Sequence, residues 1–459
     1  MKPSIPQGTR DFSPAEVRRR QYIFNTLKKI FETYSFQPLE TPSMENLTTL
    51  TGKYGEEGDR LIFKILNNGL DHPDKKQKAQ AAFEKILEGK NTPELTERAL
   101  RYDLTIPFAR YVVMHQNELA FPFRRYQMQP VWRADRPQRG RYREFWQCDC
   151  DVVGSVSLIN EAELLCIYQS AFHELKVPGI TIKINSRKLL AGLAAVAGMP
   201  DKMMDITIAL DKLDKIGWEG VSNELSQRGV ATDGINLIHK LISISGKNES
   251  KLTALEQLMK GSEIALTGIN EVRQTLSYYA SLKSDEWNGE VEVDISLARG
   301  LNYYTGIIVE VTTNAVKMGS IGGGGRYDDL TGLFGLKGLS GVGISFGIDR
   351  IYDVMEELNL FPEQLATGSK VMLVNFGKAN ETYTLKMLQH LRNNEIAAEI
   401  YPDAVKFDKQ MKYANKRNIP YVILCGDEER EKELLSLKNF TTGEQNMIRL
   451  DEAISILKA

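Results

Sequence analysis

Between Phe121 and Val153, two β-like runs flank a loop, residues 134–140, that is rich in proline, glycine and arginine. Such runs around a turn-forming segment predict a long antiparallel hairpin. In the second run the side chains alternate in type, because successive residues of a strand point to opposite faces of the sheet. One face is apolar, with Trp146, Cys148, Cys150 and Val152. The other face is densely polar, with Arg141, Arg143, Phe145, Gln147, Asp149 and Asp151.

Arginines are concentrated in the same hairpin. Seven of them lie between Arg124 and Arg143, against a single acid, Asp135. The planar guanidinium is suited to bidentate recognition of phosphate. A solvated, charged hairpin is one interpretation, and a polyphosphate or nucleic-acid site is the better one. On these residues alone, we expect a sheet that handles phosphate.

The segments around the hairpin differ in their patterns of apolar and polar residues. Ser13 and Glu16 form a capping box for a helix that begins at Pro14 and ends near Tyr34. Residues 64–99 read as a charged, partly helical insertion that we expect to be peripheral. Residues 186–285 look mostly helical, and strand patterns return at 291–297, 306–312 and 341–346. A helical module is therefore predicted to interrupt a sheet domain.

The pattern changes again after Phe361-Pro362. Strands at 371–376, 397–401 and 421–426 alternate with helices near 381–392 and 406–416, and a terminal hairpin follows at 435–439 and 446–450. Strands that alternate with helices predict a small α/β domain with largely parallel pairing. We expect its boundary at about 362–369.

Composition limits the class of protein. The chain has 459 residues, of which 42% are hydrophobic and 26% charged, values typical of a multidomain globular protein. No run of 18 apolar residues could span a bilayer, the N-terminus lacks the features of a signal peptide, and four cysteines are too few for a disulfide framework. We therefore expect a cytoplasmic protein. Because the net charge is −2, any nucleic acid must be bound by local basic patches.

A metal site is not expected from the cysteines. Cys148 and Cys150 are separated by one residue, and no second cysteine or histidine pair stands at a plausible spacing. We interpret the cysteines as core thiols, and no metal-ligand motif can be identified.

Three segments resemble the motifs of the class II aminoacyl-tRNA synthetases. FQPLETP (36–42) is similar to motif 1, which mediates dimerisation in that class. VWRADRPQRGRYREF (131–145) resembles motif 2, which binds ATP and the tRNA acceptor end, and GVGISFGIDRI (341–351) resembles motif 3. Each motif alone is a weak signal, but the three in order are strong.

Two further segments narrow the resemblance to one family. LARGLNYYTG (297–306) and GGGGRYDDL (322–330) resemble the histidine-specific motifs of histidyl-tRNA synthetases. The resemblance implies an α+β catalytic domain, residues 1–365, built on an antiparallel sheet flanked by helices. It also implies a helical insertion at 186–285 and a C-terminal α/β domain at 369–459 that binds the anticodon. Residues 64–99 match nothing that can be assigned.

The resemblance implies a histidine-binding site. LRYDLTIPFAR (100–110) is similar to the segment that holds the substrate amine in the eukaryotic branch of the family. Asp103 would hold the histidine ammonium, with Thr105 beside it, and Gln147 would bind the amino-acid end. The imidazole pocket would be lined by Tyr303, Tyr304 and Asp151.

The resemblance also implies an ATP site. Phe145 would stack on adenine and Asp135 would contact it, while Arg141 and Arg350 would bind the outer phosphates. Mg²⁺ is implied by ATP chemistry and not by a ligand motif. The remaining expected partners are tRNA for histidine and a second copy of the chain in a homodimer.

Two arginines are the expected catalytic residues. Arg133 would bridge the histidine carboxylate and the α-phosphate of ATP. Arg299 would stabilise the pentacovalent α-phosphate, which is electrostatic catalysis at the place where charge develops.

The chain departs from the family pattern at three acidic positions. Asp135 stands where motif 2 has glutamate, and many bacterial members have glutamate at the positions of Asp103 and Asp151. Each change keeps the charge and shortens the side chain by one methylene. The run Gly322–Gly325 lacks the lysine of a P-loop, and we interpret it as letting the backbone approach the substrate closely.

Two other functions stay open at this point. A catalytically silent relative that senses histidine or tRNA would keep the fold, but such proteins tend to lose the catalytic arginines or the terminal domain. A synthetase for glycine, proline or threonine would leave RGLNYY and GGGGRYDDL unexplained.

Overall fold

The chain folds into two compact units. The computed structural model describes residues 2–287, 289–298, 303–362, 365 and 368–458. One unit comprises Met1–Arg10 and Tyr22–Leu360, and the other comprises Asp11–Gln21 and Phe361–Ala459.

The first helix begins where the capping box predicts. Glu16 Oε2 accepts a hydrogen bond from the backbone N–H of Ser13 at 2.6 Å, and Ser13 Oγ accepts one from the N–H of Glu16 at 3.4 Å. The elements up to residue 114 are α1 (Pro14–Thr33), β1 (Gln37–Pro38), β2 (Met44–Asn46), α2 (Leu47–Leu50), α3 (Gly55–Arg60), β3 (Lys64–Ile65), α4 (Pro73–Leu87), β4 (Arg98–Leu100) and α5 (Thr105–Met114).

The predicted hairpin is confirmed. It consists of β5 (Phe123–Trp132) and β6 (Glu144–Val153), and its register places Arg125 opposite Asp151. The next elements are α6 (Ile159–Glu174) and β7 (Ile180–Ser186). The apolar face of β6 is buried, because Cys148, Cys150 and Val152 are at most 1% exposed.

A helical insertion follows β7, as predicted. Its elements are α7 (Arg187–Val196), a 3₁₀ turn (Pro200–Lys202), α8 (Met203–Leu210), α9 (Leu213–Gln227), α10 (Thr232–Ile242), α11 (Asn248–Leu258) and α12 (Glu263–Leu282). The buried side chains of α10, which include Ile235, Ile238 and Leu241, recur every three or four residues, the spacing of one helix face.

The chain then returns to the sheet through β8 (Glu290–Val293), β9 (Ile307–Thr313), β10 (Gly322–Tyr327), a 3₁₀ turn (Thr331–Phe334), β11 (Gly341–Gly347) and α13 (Ile348–Glu357). Within the described residues the sheet has eight strands in the order β1-β5-β6-β11-β10-β9-β7-β8. Only the outer pairs β1/β5 and β7/β8 are parallel. The expected antiparallel sheet flanked by helices is confirmed.

A small sheet, β2-β4-β3, lies beside α5 and α2. Its strands β3 and β4 begin and end the segment 64–99, which was predicted to be peripheral. Helix α4 fits that prediction because Ala82 is its one described buried residue. The ends of the segment do not fit it, since Leu95 and Ala99 are buried and β4 pairs with β2.

The second unit contains the predicted α/β domain. Its elements are β12 (Val371–Leu373), α14 (Lys378–Asn393), β13 (Ala398–Ile400), α15 (Phe407–Lys416), β14 (Tyr421–Leu424), α16 (Asp427–Glu431), β15 (Leu435–Asn439), β16 (Gln445–Ile448) and α17 (Leu450–Lys458). Strands β13, β12 and β14 are parallel, and the terminal hairpin β15/β16 extends the sheet antiparallel. In the part of the chain that is described, no helix is long and apolar enough to cross a lipid bilayer.

Candidate active site

The polar face of the hairpin borders two neighbouring cavities in the first unit. The smaller one has a volume of about 40 Å³ and contains all six residues predicted to bind histidine. Its described lining is Asp103, Thr105, Gln147, Asp149, Asp151, Tyr303, Tyr304, Tyr327, Gly343, Ile344 and Ser345. The structure therefore brings together residues that lie up to 242 positions apart in the lining of one pocket.

Asp103 is held between two tyrosines. Its carboxylate accepts hydrogen bonds from Tyr54 Oη at 2.9 Å and Tyr303 Oη at 3.0 Å, and from the backbone N–H of Ile106 at 3.2 Å. Burial raises the pKa of the Asp103 carboxyl, and the hydrogen bond from Tyr54 and the charge of Arg133 oppose that shift. The carboxylate is thus fixed in position before any ligand arrives.

Asp151 is paired with a buried cation. Arg125 Nη2 lies 2.8 Å from Asp151 Oδ2, and the two side chains are 0% and 3% exposed. Tyr327 Oη donates a 2.6 Å hydrogen bond to Asp151 Oδ1. Burial raises the pKa of Asp151, while Arg125 and the tyrosine hydroxyl lower it.

A glycine makes room for the Asp151 carboxylate. Gly343 lies directly opposite Asp151 across the β6/β11 ladder. A Cβ at this glycine would lie 2.0 Å from Asp151 Oδ1, far inside van der Waals contact. No other residue type can occupy this position without displacing the carboxylate.

Asp149 is a third carboxylate in the small cavity, and the sequence analysis gave it no role. Its side chain is 3% exposed, and its Oδ1 has no hydrogen-bond partner among the described residues. Burial raises the pKa of Asp149 to about 7, and the charge of Arg125 opposes that shift. A buried acceptor without a partner is available to a ligand that brings a donor.

The small cavity therefore favours a ligand that carries N–H groups. It is lined by three carboxylates and three tyrosines, and its described lining includes no lysine or arginine. Ammonium and imidazole groups supply the donors that such a lining lacks.

The larger cavity has a volume of about 470 Å³ and the opposite electrostatic character. All five residues predicted to bind ATP line it: Arg133, Asp135, Arg141, Phe145 and Arg350. Lys215 of the helical insertion also lines it, which the sequence analysis did not anticipate. The described lining contains four cations against three aspartates, and the aromatic rings of Tyr142 and Phe145. An excess of cations beside aromatic rings suits an anionic ligand with a flat base.

Arg133 is oriented by aromatic neighbours. Its guanidinium lies 4.3 Å from the centroid of the Tyr102 ring and 5.2 Å from that of Phe145. Arg133 Nε donates a hydrogen bond to the Tyr102 carbonyl at 3.0 Å. Packing and this hydrogen bond hold a long, flexible side chain in one place.

The other charged residues are also held in position. Arg141 Nη2 lies 2.8 Å from Asp135 Oδ1, and Arg141 remains 45% exposed. Arg350, at the start of α13, donates from Nε to the Gly140 carbonyl at 2.7 Å. The loop of the hairpin and the helix after β11 therefore meet at the larger cavity.

The two cavities share one wall. Gln147 and Ser345 line both of them, and Gln147 Nε2 donates a 2.9 Å hydrogen bond to Ser345 Oγ. Gln147 Oε1 has no hydrogen-bond partner within the described chain. A ligand in the acidic cavity and one in the basic cavity would meet at this wall.

The glycine run forms the strand β10, which was not predicted. Its glycines serve two purposes. Gly322 and Gly323 line the larger cavity, as a close approach of backbone to ligand requires. Gly324 lies against β11 instead, because a Cβ there would be 2.1 Å from the Gly343 carbonyl oxygen.

Some predicted features cannot be placed. Arg299 lies outside the described residues. Among those that are described, no group of three or more histidine, cysteine, aspartate or glutamate side chains could hold a metal ion. The four cysteines are buried free thiols, in agreement with their interpretation as core residues.

Comparisons with known proteins agree over the whole chain. The histidyl-tRNA synthetase family matches residues 75–351, and the anticodon binding domain family matches residues 370–459. The histidine–tRNA ligase of Christiangramia forsetii is 53% identical over 460 residues, covering 100% of this chain and 99% of the relative. That of Flavobacterium johnsoniae is 54% identical and covers 97% and 96%.

Solved structures give the same result. Histidyl-tRNA synthetase from Nostoc sp. PCC 7120 has a TM-score of 0.82 at 29% identity, over 100% of this chain and 99% of that one. A protein described as an ATP phosphoribosyltransferase regulatory subunit/histidyl-tRNA synthetase, from Bacillus halodurans, has a TM-score of 0.70 at 19% identity, over 92% and 99%. The second likeness concerns the fold alone. The resemblance seen in the motifs is confirmed, and the chain belongs to the histidyl-tRNA synthetase family of class II aminoacyl-tRNA synthetases.

Proposed function

We propose that the chain joins L-histidine to its cognate tRNA with the energy of ATP. In the first step an oxygen of the histidine carboxylate attacks the α-phosphorus of ATP, and the bond to the β-phosphate oxygen breaks to release pyrophosphate. In the second step a ribose hydroxyl at the tRNA 3′ end attacks the carbonyl carbon of the adenylate, and AMP leaves.

One observation carries this proposal: an acidic cavity and a basic cavity share the wall formed by Gln147 and Ser345. Adenylate formation needs an amino acid and a nucleotide held with their reacting atoms in contact. The acidic cavity suits the amine and imidazole of histidine, and the basic cavity suits a polyphosphate. The carboxylate and the α-phosphate would meet at the shared wall.

The acidic cavity would bind histidine at both ends. Asp103, fixed by Tyr54 and Tyr303, would accept from the ammonium, with Thr105 and the unpaired Gln147 Oε1 beside it. Asp151, Tyr303 and Tyr304 would line the imidazole. A side chain such as leucine would leave the buried carboxylates without donors, which is a strong basis for selectivity.

The basic cavity would bind ATP. Phe145 would stack on adenine and Asp135 would contact it, while Arg141 and Arg350 would hold the outer phosphates. Arg133, already fixed against Tyr102, would bridge the carboxylate and the α-phosphate. We assign to Arg299 the stabilisation of the charge that develops on the pentacovalent phosphorus.

Mg²⁺ belongs to this proposal as a companion of ATP. It is usually bound by one or two carboxylates together with substrate phosphates and water, not by a dedicated protein cage. The carboxylates in the described lining of the larger cavity are those of Asp135, Asp211 and Asp349. The ion would neutralise phosphate charge when bound.

The remaining parts of the chain would serve the tRNA and the assembly. We assign catalysis to residues 1–365, with 186–285 as an insertion, and anticodon binding to residues 369–459 in a cytoplasmic enzyme. Residues 36–42 would lie at a homodimer contact. In support, β1 is one of the two outer strands of the described sheet, and both of its residues are exposed. A monomer by light scattering at micromolar concentration would contradict the dimer.

Exchange of labelled pyrophosphate into ATP tests the function, because it reports adenylate formation without tRNA. We expect exchange that depends on histidine and not on glycine, proline or threonine. Exchange with another amino acid would assign a different specificity. Histidine binding without any exchange would instead favour a silent, sensing relative.

A further inference from the structure

Two phenylalanines in the second unit stack on each other at the protein surface. Phe376 is 45% exposed and Phe407 is 41% exposed. Their ring centroids lie 6.4 Å apart, and the ring planes differ by only 8°. The pair therefore presents nearly parallel aromatic faces beyond the carboxyl end of β12 and at the first turn of α15.

A buried polar clamp holds this pair in place. Gln410 Oε1 accepts a hydrogen bond from the backbone N–H of Asn375 at 2.9 Å, and Gln410 Nε2 donates to the Asn375 carbonyl at 2.9 Å. Gln410 also donates to the Val405 carbonyl at 2.9 Å. Asn375 and Gln410 are 5% and 1% exposed. The segments that carry Phe376 and Phe407 are thus tied together by buried hydrogen bonds.

The exposed rings of Phe376 and Phe407 form an apolar surface that a bound ligand can cover. Covering this exposed aromatic surface with a ligand is favourable, and the clamp ties together the backbone segments that carry both rings. Every nucleobase has a flat π-face, so a rigid aromatic surface is a suitable partner for an unpaired base. Base stacking on aromatic side chains is typical of single-stranded RNA recognition.

The helix that begins with Phe407 is also basic on one side. Lys409, Lys412 and Lys416 follow at spacings of three and four, and Lys406 precedes the first turn. All four are exposed, and none of them forms an ion pair with a described residue. Asp408 is the single acid within α15. Because an α-helix turns by about 100° per residue, Lys409, Lys412 and Lys416 lie on the face opposite Phe407, and their charge can attract a nearby phosphate backbone only at long range.

We propose that Phe376 and Phe407 form a stacking platform for an unpaired base in the anticodon loop of tRNA. This inference rests on the proposed function. It assigns binding to particular residues within the segment 370–459 that matches the anticodon binding domain family.

The test uses full-length enzyme with Phe376→Ala and Phe407→Ala. We expect each change to raise the KM for full-length tRNA about tenfold, equivalent to ~1.4 kcal/mol, within the usual range for one stacked base. Charging of a minihelix that lacks the anticodon arm should be unchanged, and so should pyrophosphate exchange. Phe376→Tyr and Phe407→Tyr keep the aromatic face and should restore most of the tRNA affinity.

Leu385→Ala provides a matched control, because Leu385 is 50% exposed in the same unit and has no aromatic ring. It should leave the tRNA KM unchanged. If both phenylalanine variants have an unchanged KM for tRNA, the proposed stacking platform is wrong. It is also wrong if the variants lose as much activity with the minihelix as with full-length tRNA. A change in oligomeric mass would assign the pair to contact between copies. If the unsubstituted enzyme shows no histidine-dependent exchange of pyrophosphate into ATP, the proposed function itself is wrong.

Discussion

The side chains of Gln147 and Ser345 form a 2.9 Å hydrogen bond in the wall between the acidic and the basic cavity. This bond leaves Gln147 Oε1 without a hydrogen-bond partner among the described residues, in the region where a histidine ammonium would lie. We therefore expect Gln147→Ala to raise the KM for histidine.

The expected rise is roughly tenfold to a hundredfold, because a hydrogen bond to a charged group contributes about 1.5–3 kcal/mol. Ser345→Ala removes only the residue that orients Gln147, so its effect should be smaller. Pyrophosphate exchange at varied histidine and ATP gives both constants. A Gln147→Ala protein with normal histidine KM would exclude this role.

Asp151 is the second residue whose substitution discriminates between substrates. Asp151→Asn removes the charge that would face the imidazole in the proposed histidine site, so the KM for histidine should rise strongly while the KM for ATP stays nearly unchanged. The change also leaves Arg125 without its buried counter-charge, and breaking a buried pair typically costs ~3–5 kcal/mol of stability.

Thermal unfolding must therefore accompany the kinetics for Asp151→Asn. Asp151→Ala should raise the KM for histidine more than Asp151→Asn does, because asparagine keeps one acceptor oxygen. If both variants stay folded and neither changes the histidine KM, Asp151 has only a structural role.

The raised pKa of Asp149 predicts that the free energy of unfolding depends on pH. Burial raises its pKa to about 7, above the ordinary value of a carboxyl near 3.8. The folded chain then binds more protons than the unfolded chain between pH ~4 and ~7, so this residue makes the free energy of unfolding fall as pH rises through that window. Asp149→Asn should remove that part of the slope.

The variant should accordingly gain roughly 2–4 kcal/mol over the parent between pH 4.5 and 8, at about 1.4 kcal/mol per pKa unit. Urea denaturation of both proteins at the two pH values measures the difference. Contributions from Asp103 and Glu161, whose pKa values are also raised by burial, largely cancel in this comparison. A pH-independent difference would show that Asp149 does not titrate there.

Gly343 gives a steric prediction. Its Cβ would meet Asp151 Oδ1 at 2.0 Å, so Gly343→Ala should displace the carboxylate, cost ~1–3 kcal/mol of stability and raise the histidine KM. Gly261→Ala is the matched control, because no atom lies within 4 Å of a Cβ at that position. Similar behaviour of the two variants would argue against a tight fit at Gly343.

Several residues of the candidate active site could be predicted from the sequence, for two different reasons. Alternation along β6 placed Gln147 and Asp151 on one polar face, and the family motifs added Asp103 and Tyr303 from distant segments. For Gln147 and Asp151 the local pattern was sufficient, because alternation along a strand determines the face on which each side chain lies. The motifs were needed because no spacing rule connects residues 200 positions apart.

Other features could not be predicted from local sequence. The strand β10 begins with four glycines, a residue that strands disfavour, and at Gly324 the reason lies in the neighbouring β11 backbone. The absence of a partner for Asp149 Oδ1 depends on what every facing strand supplies. Likewise, the pairing of Arg125 with Asp151 depends on the hairpin register, which the loop sequence did not determine.

Charging of tRNA tests the central claim most directly. The purified chain would be incubated with ATP, unfractionated tRNA and each labelled amino acid in turn, and label on tRNA would be measured. We expect ATP-dependent attachment of histidine and of no other amino acid. A folded protein that leaves histidine unattached, or that attaches a different amino acid, would contradict it.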